Sequence, residues 1–241
     1  MSIVAVPGAR FDVDLVVFDK DGTLIDLHAS WGPPARAWLD AVADGDGQLV
    51  GALAERLGFD LAVDQLVADG LFAAGTLAQI GTETLHVLTS EGWDDVRIST
   101  AITRARAAVR VAIDATPPVT LADLPTLFGK LAAAGVGRAV LTSDDREPTL
   151  DFLRRAGVDG LVDMVVGGDD VALPKPHPDG LMAVMDELGV LPHRVLMVGD
   201  STADRDAAAA AGAWFVAVGH DSPAARGADA VIESVELITA E

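Results

Sequence analysis

From residue 124 onward the chain repeats one pattern, in which stretches with apolar residues at helical spacing alternate with short, unbroken apolar runs of strand length. The runs are Arg138–Thr142, Asp163–Gly167, Arg194–Val198 and Trp214–Val218, with a shorter one at Ala230–Ile232. The helical stretches Leu124–Ala134, Glu147–Ala156, Pro178–Leu188 and Thr202–Ala211 stop at Gly135, Gly157, Gly189 and Gly212. A left-handed residue closes many helices, and glycine takes that conformation without strain. Pro148 and Pro178 stand where a first helical turn tolerates proline. Apolar runs without polar alternation are strands buried on both faces, and strand-helix alternation predicts an α/β fold with a parallel sheet covered by helices. Asp14–Phe18 has the same character and supplies one earlier strand.

Between that strand and the rest, roughly from His28 to Pro117, no strand is evident. Helices are expected at Pro34–Ala43, Gln48–Leu57, Val63–Ala78, Thr82–Ser90 and Asp94–Ala115. A crossover between parallel strands needs only about a dozen residues, so this insert should fold as a second, helical domain. Residues 1–26 and 118–241 then form the core and residues 27–117 the helical domain. The stretch after Ile25 and the Pro117-Pro118 pair are its two connections, placed to act as a hinge.

Charge narrows the function. Lys and Arg total 17 against 37 Asp and Glu, a net charge of −20, so the mean surface field repels nucleic acid and anionic lipid, and neither is expected as a partner. The absence of cysteine removes disulfides, thiolate metal sites and a cysteine nucleophile. Met1–Pro7 lacks the basic start of a signal peptide. The uncharged stretch Ala207–Gly219 is 13 residues long, short of the roughly 18 a membrane span needs. A cytoplasmic protein is expected. An anionic substrate would need local positive charge, which a divalent cation could supply.

The acidic residues concentrate at predicted strand ends, where open parallel sheets bind ligands. Strand one runs into Asp19-Lys20-Asp21-Gly22-Thr23. Residues two apart on an extended chain share a face, which puts Asp19 and Asp21 together and turns Lys20 elsewhere. Two carboxylates that close are costly unless a cation neutralises them or one keeps a proton. Gly22 allows a tight backbone turn, and Thr23 offers a hydroxyl. Asp200 ends another strand, with Asp204 one helical turn on. Such an oxygen-only set suits Mg²⁺, although Asp200 and Ser201 also read as ordinary helix caps. Thr142 and Ser143 offer hydroxyls and backbone N–H groups to an anion ahead of a helix. Lys175 is held between Pro174 and Pro176, and a solvated loop lysine is the plainer reading.

These segments, in this order, resemble the haloacid dehalogenase superfamily: Asp19-Lys-Asp21-Gly22-Thr23, Thr142 after a hydrophobic strand, Lys175 before proline, and Gly199-Asp200 with Asp204. The resemblance implies a Rossmann-like core with an inserted α-helical cap, of the phosphoglycolate-phosphatase-like branch. It also implies a Mg²⁺-dependent phosphatase acting on a small phosphorylated metabolite. Asp19 would be the nucleophile that forms an aspartyl-phosphate, and Asp21 the general acid and then base. Thr142 and the Ser143 N–H would hold phosphate oxygens beside Gly22 and Thr23, and Lys175 would offset charge. Asp19, the carbonyl of Asp21 and Asp200 would bind Mg²⁺, with Asp204 supporting through water or Lys175. Lys20 departs from the apolar residue most common at its position, and with its side chain turned away the mechanism should stand.

Asp21 argues against carbon–halogen chemistry, and the lack of membrane spans against an ion pump. A sugar phosphomutase of the β-phosphoglucomutase type shares every motif, and a non-catalytic binding module is the rival of another class. Arg104, Arg106 and Arg110 share one predicted helix and could reach a second anionic group, though a solvated face is the simpler reading. His28 and Trp31, just beyond the first motif, stand near enough to touch a ligand, and Trp31 reads equally as packing between cap and sheet. His86, Trp93 and Trp214 read as structural.

Overall fold

The computed structural model describes residues 2–67 and 70–241. The chain divides into two compact units, Met1–Asp26 with Thr120–Glu241, and Leu27–Val119.

In the first unit, six strands among the described residues form one parallel sheet: β1 (Leu15–Phe18), β2 (Gly137–Leu141), β3 (Met164–Val166), β4 (Val195–Gly199), β5 (Trp214–Val218) and β6 (Ala230–Ile232). Their spatial order is β6-β5-β4-β1-β2-β3. The chain therefore builds outward from β1 on one side through β2 and β3, then returns to the other side for β4, β5 and β6. β1 and β4 flank the point where the direction reverses, which in this architecture opens a crevice at the carboxyl edge. All four residues of β1 and all five of β4 are buried, as apolar runs without alternation require.

The intervening helices are Leu124–Ala133, Arg146–Arg155, Asp179–Leu188 and Thr202–Ala211. The last two close on left-handed Gly189 and Gly212, whose N–H groups return to carbonyls of the final turn. Leu181, Val184, Met185 and Ala208 pack on Leu15, Val17, Leu141, Val195 and Met197 of the sheet. Phe18 and Phe128 are fully buried with ring centroids 5.3 Å apart.

One element of this unit was not anticipated. Ile3–Val6 and Ala9–Asp12 pair antiparallel around Gly8, and Thr239–Ala240 adds to the same small sheet. Trp214 is 42% exposed, with its ring centroid 5.8 Å from that of Phe11 of this hairpin and its Nε1–H donating to the His193 carbonyl, so it packs where the hairpin meets the main sheet.

The second unit is mainly helical: Leu27–Ala43, Gly47–Leu57, Leu71–Ala74, Leu77–Ser90 and Asp95–Ala115. Its core is Trp38, Leu39, Val42, Leu53, Leu57, Leu88, Ile98 and Ala101, with the Trp38 indole N–H donating to buried Thr84 at 3.1 Å. The helix expected over Val63–Ala78 does not form there. Phe59–Asp60 and Gln65–Leu66 pair as a short hairpin, Leu71–Ala74 is a single turn, and the next helix starts after Thr76; Ala68 and Asp69 lie outside the described residues. Local chemistry explains the break. Asp60 accepts the Ala62 N–H at 2.8 Å, Asp64 takes a positive φ of 55°, and Thr76 and Gln79 form a reciprocal cap. Among the described residues no helix is long and apolar enough to cross a membrane.

Candidate active site

Phe18 of β1 lies opposite Val140 of β2 and Val198 of β4. The chain therefore leaves three adjacent strands at one edge through Asp19, Thr142 and Asp200. Asp19 prolongs the ladder by one bond, its N–H donating to the Val198 carbonyl at 2.8 Å, and it is only 5% exposed.

Lys175 reaches this edge from the loop ahead of the helix Asp179–Leu188. Its Nζ lies 2.5 Å from Asp19 Oδ1 and 2.6 Å from Asp204 Oδ1, and it donates to the Leu141 carbonyl at 3.2 Å. The side chain is 3% exposed, so the solvated-loop reading of this lysine does not hold. Asp204 is fully buried and uses both oxygens: Oδ1 faces Lys175, while Oδ2 accepts the Ser201 hydroxyl at 2.6 Å and the Ser201 N–H at 3.0 Å. Ser201 Oγ accepts the Asp204 N–H in return, the reciprocal cap that starts the helix Thr202–Ala211. Capping and lysine support are thus both carried by Asp204.

Asp19, Asp200 and Asp204 each offer one oxygen within 4.8 Å of the others. Burial pushes Asp19 well above the usual carboxylate range; Lys175 opposes the shift, while Asp204, Asp200 and Asp21 add to it. Asp200 is pushed up to about 6, first by burial and then by Asp204. Burial works against the Lys175 ammonium, yet Asp19 and Asp204 outweigh it and hold its pKa above the ordinary lysine value. With all three carboxyls ionised, the cluster outweighs its one ammonium by two negative charges, the charge one divalent cation balances. The donor set is all oxygen, and Asp204 has its oxygens committed while Asp19 and Asp200 retain capacity. The residues fit Mg²⁺.

Backbone geometry fixes Asp200. Gly22 has φ +80°, and a Cβ built there would sit 2.2 Å from Asp200 Oδ2, so the first loop can approach that carboxylate only with glycine. Fully buried Thr23 donates its hydroxyl to Asp200 Oδ1 at 3.4 Å, and the Ser222 hydroxyl donates to the Asp200 carbonyl. Thr142 is buried, its N–H donating to Val166 at 3.0 Å. Its Oγ1 accepts the Asp144 N–H at 3.1 Å, which leaves the hydroxyl proton available to a ligand. Ser143, half-buried, follows it.

Asp21 departs from the simple alternation. Its carboxylate is not part of the three-acid cluster; Oδ2 lies 2.9 Å from Lys20 Nζ. Lys20 does not turn away from the motif. Its side chain is 1% exposed, and Nζ bridges Asp21 Oδ2 and Asp144 Oδ2, each at 2.9 Å. The shared-face rule holds only while the chain is extended, and β1 ends at Phe18. Lys20 and Asp144 are the site residues that motif reading passed over, and the available signal was a lysine set between two aspartates.

The candidates in the helical unit are accounted for within that unit. Arg104 donates to the Ala41 carbonyl at 2.7 Å and pairs with Asp44 at 2.9 Å, while Arg106 and Arg110 are exposed. Trp31 packs on the unit's core, His28 is exposed, His86 lies 3.5 Å from Glu83, and Arg97 stacks 3.5 Å over the Trp93 ring.

A family model described as haloacid dehalogenase-like hydrolase matches residues 13–212. A phosphoglycolate phosphatase of Rhodospirillum rubrum is 33% identical over 209 residues, 85% of this chain and 79% of that protein. A predicted phosphoglycolate phosphatase from Haemophilus somnus superposes with a TM-score of 0.69 at 19% identity, covering 93% of this chain and 95% of that one. A β-phosphoglucomutase from Clostridium difficile does so with a TM-score of 0.60 at 17% identity, covering 92% of each chain. At such identities the two structures speak to fold alone.

Proposed function

Because the chain belongs to the haloacid dehalogenase-like hydrolases and is a phosphatase of that family, we propose that it hydrolyses a small phosphorylated metabolite through an aspartyl-phosphate on Asp19, with Mg²⁺ as cofactor. One observation carries this reading: the Lys175 ammonium is held between Asp19 and Asp204, with Asp200 completing a buried three-acid cluster.

In the first step a carboxylate oxygen of Asp19 attacks phosphorus, the bond from phosphorus to the ester oxygen breaks, and Asp21 gives that oxygen its proton. In the second step Asp21 takes a proton from water as the water oxygen attacks phosphorus, and the bond to Asp19 breaks to release phosphate. Lys175 orients Asp19 and offsets charge on the transferred group. The Thr142 hydroxyl and the Ser143 N–H take phosphate oxygens, and Gly22 and Thr23 keep the loop against Asp200. Asp19, the Asp21 carbonyl and Asp200 would hold Mg²⁺, with Asp204 supporting through Lys175. When bound, the cation neutralises charge that builds up on the phosphoryl group.

The Rhodospirillum rubrum relative supports 2-phosphoglycolate as the first substrate to try. The assignment of the helical unit as a cap that selects the substrate, and a cytoplasmic location, belong to the same proposal. The test is phosphate release from p-nitrophenyl phosphate and 2-phosphoglycolate. Release with Mg²⁺ that disappears in EDTA and in Asp19→Asn is the expected result. No release from a broad panel of phosphate esters, or full release by Asp19→Asn, overturns the reading. With a hexose 1-phosphate, an isomeric sugar phosphate in place of free phosphate would indicate a mutase.

A further inference from the structure

The proposed mechanism leaves one buried cation without a task. Lys20 is closed off from solvent, and its ammonium joins Asp21, on the first loop, to Asp144, which lies 124 residues beyond Lys20 itself. Asp144 is itself held at four points. Its Oδ1 accepts the Asp145 N–H at 2.8 Å, its carbonyl accepts the Gly168 N–H at 2.8 Å, its own N–H donates to Thr142 Oγ1 at 3.1 Å, and Oδ2 meets Lys20. Lys20 thus ties the Asp21 carboxylate to the same short segment that carries Thr142 and Ser143. A buried lysine needs such partners, because an isolated ammonium in the interior is costly.

We propose that Lys20 and Asp144 form a positioning clamp that fixes Asp21 relative to the phosphate-holding segment Thr142–Ser143, so that proton delivery to the ester oxygen is aligned with the held phosphoryl group. The proposal rests on the phosphatase reading above. It extends that reading by giving Lys20 and Asp144 a role in orienting Asp21, without contact with the substrate. Alignment of a proton donor matters in proportion to how much the departing oxygen needs a proton. An alkyl phosphate releases an alkoxide unless protonated, whereas p-nitrophenolate departs readily without one. A clamp that serves proton delivery therefore shows itself as a leaving-group dependence, which a general loss of structure does not produce.

The experiment measures kcat/KM, which reports steps up to the first irreversible transfer, for an alkyl phosphate and for p-nitrophenyl phosphate. The proteins are wild type, Lys20→Met, Asp144→Asn, the double variant, and Asp21→Asn as the reference for lost proton delivery. Lys20→Met keeps the length of an unbranched side chain in the buried slot. Asp144→Asn keeps the shape of a side chain whose carboxylate is 17% exposed.

The expected result is a fall of about 100-fold on the alkyl phosphate and under about 10-fold on p-nitrophenyl phosphate in either single variant, within the range general acid catalysis supplies. The double variant should fall no further than the worse single, because each removes the same alignment. Equal losses on both substrates, or no loss, overturn the clamp while wild-type activity leaves the phosphatase reading standing. A wild type inactive on both substrates overturns the reading and the clamp with it. Should Lys20→Met fail to fold, Asp144→Asn decides by the same comparison.

Discussion

Gly22→Ala separates what the fold needs at this position from what the site needs. The residue has φ +80°, a region in which an L side chain costs about 1–2 kcal/mol. The added methyl would lie 2.2 Å from Asp200 Oδ2, so that oxygen must retreat by more than about 1 Å to reach ordinary contact distance. The obstacle is the end of a side chain, so Asp200 can rotate aside and the fold should survive. For a chain of this size, backbone strain alone lowers the melting temperature by about 2–8 °C. The functional loss should be far larger. A displacement of about 1 Å in a positioning group costs on the order of 100-fold in rate. A disturbed ligand shell weakens metal affinity by about 10–100-fold. The assay is phosphate release titrated with Mg²⁺, beside thermal melts with and without the ion. Near-native melting without Mg²⁺, a lost Mg²⁺ stabilisation and a rightward shift in half-activation are expected. Wild-type Mg²⁺ dependence in Gly22→Ala would refute the idea that the first loop and Asp200 are built against each other.

Two further outcomes follow from the buried charges. Lys175→Met removes the ammonium between Asp19 and Asp204 and should cost about 3–5 kcal/mol of stability at neutral pH, with a smaller loss as falling pH lets the buried carboxyls take up protons; an unchanged melting temperature at pH 7.5 would contradict it. For Asp200 the folded pKa of about 6 exceeds the unfolded value of about 4, so the metal-free protein binds protons more tightly when folded. Its Asp200 contribution to stability falls as pH rises from about 4 through about 6 and then levels off. Added Mg²⁺ should therefore raise the melting temperature more at pH 7.5 than at pH 5, and the opposite order in differential scanning fluorimetry would contradict it.

The parallel sheet could be read from the sequence because its central strands Leu15–Phe18 and Val195–Gly199 are buried throughout and a glycine follows each of the four core helices, so local composition and tertiary position agree. The gathering of the candidate site residues was legible for the same reason. Strand ends place Asp19, Thr142 and Asp200 at one edge whatever the details of the loops. What escaped depended on partners distant in sequence or on local turns. The hairpin Ile3–Val6 and Ala9–Asp12 gains its third strand from Thr239–Ala240, at the other end of the chain. Val63–Ala78 has apolar residues spaced for a helix, but Asp60 and Asp64 turn the chain, and Gly58 and Gly70 approach so closely that a Cβ on Gly58 would meet the Gly70 Cα at 2.5 Å. Lys20 does not follow the alternation because the strand ends at Phe18, two residues before it. Its ammonium finds Asp144 through the fold, a pairing no spacing rule contains.

Rapid quench in acid during turnover, followed by mass spectrometry of the peptides, tests the central claim most directly. The account predicts a hydroxylamine-sensitive phosphoryl adduct on the peptide carrying Asp19, formed at least as fast as phosphate is released and absent from Asp19→Asn. An adduct on another residue, or full-rate phosphate release with no adduct at any quench time, would contradict it.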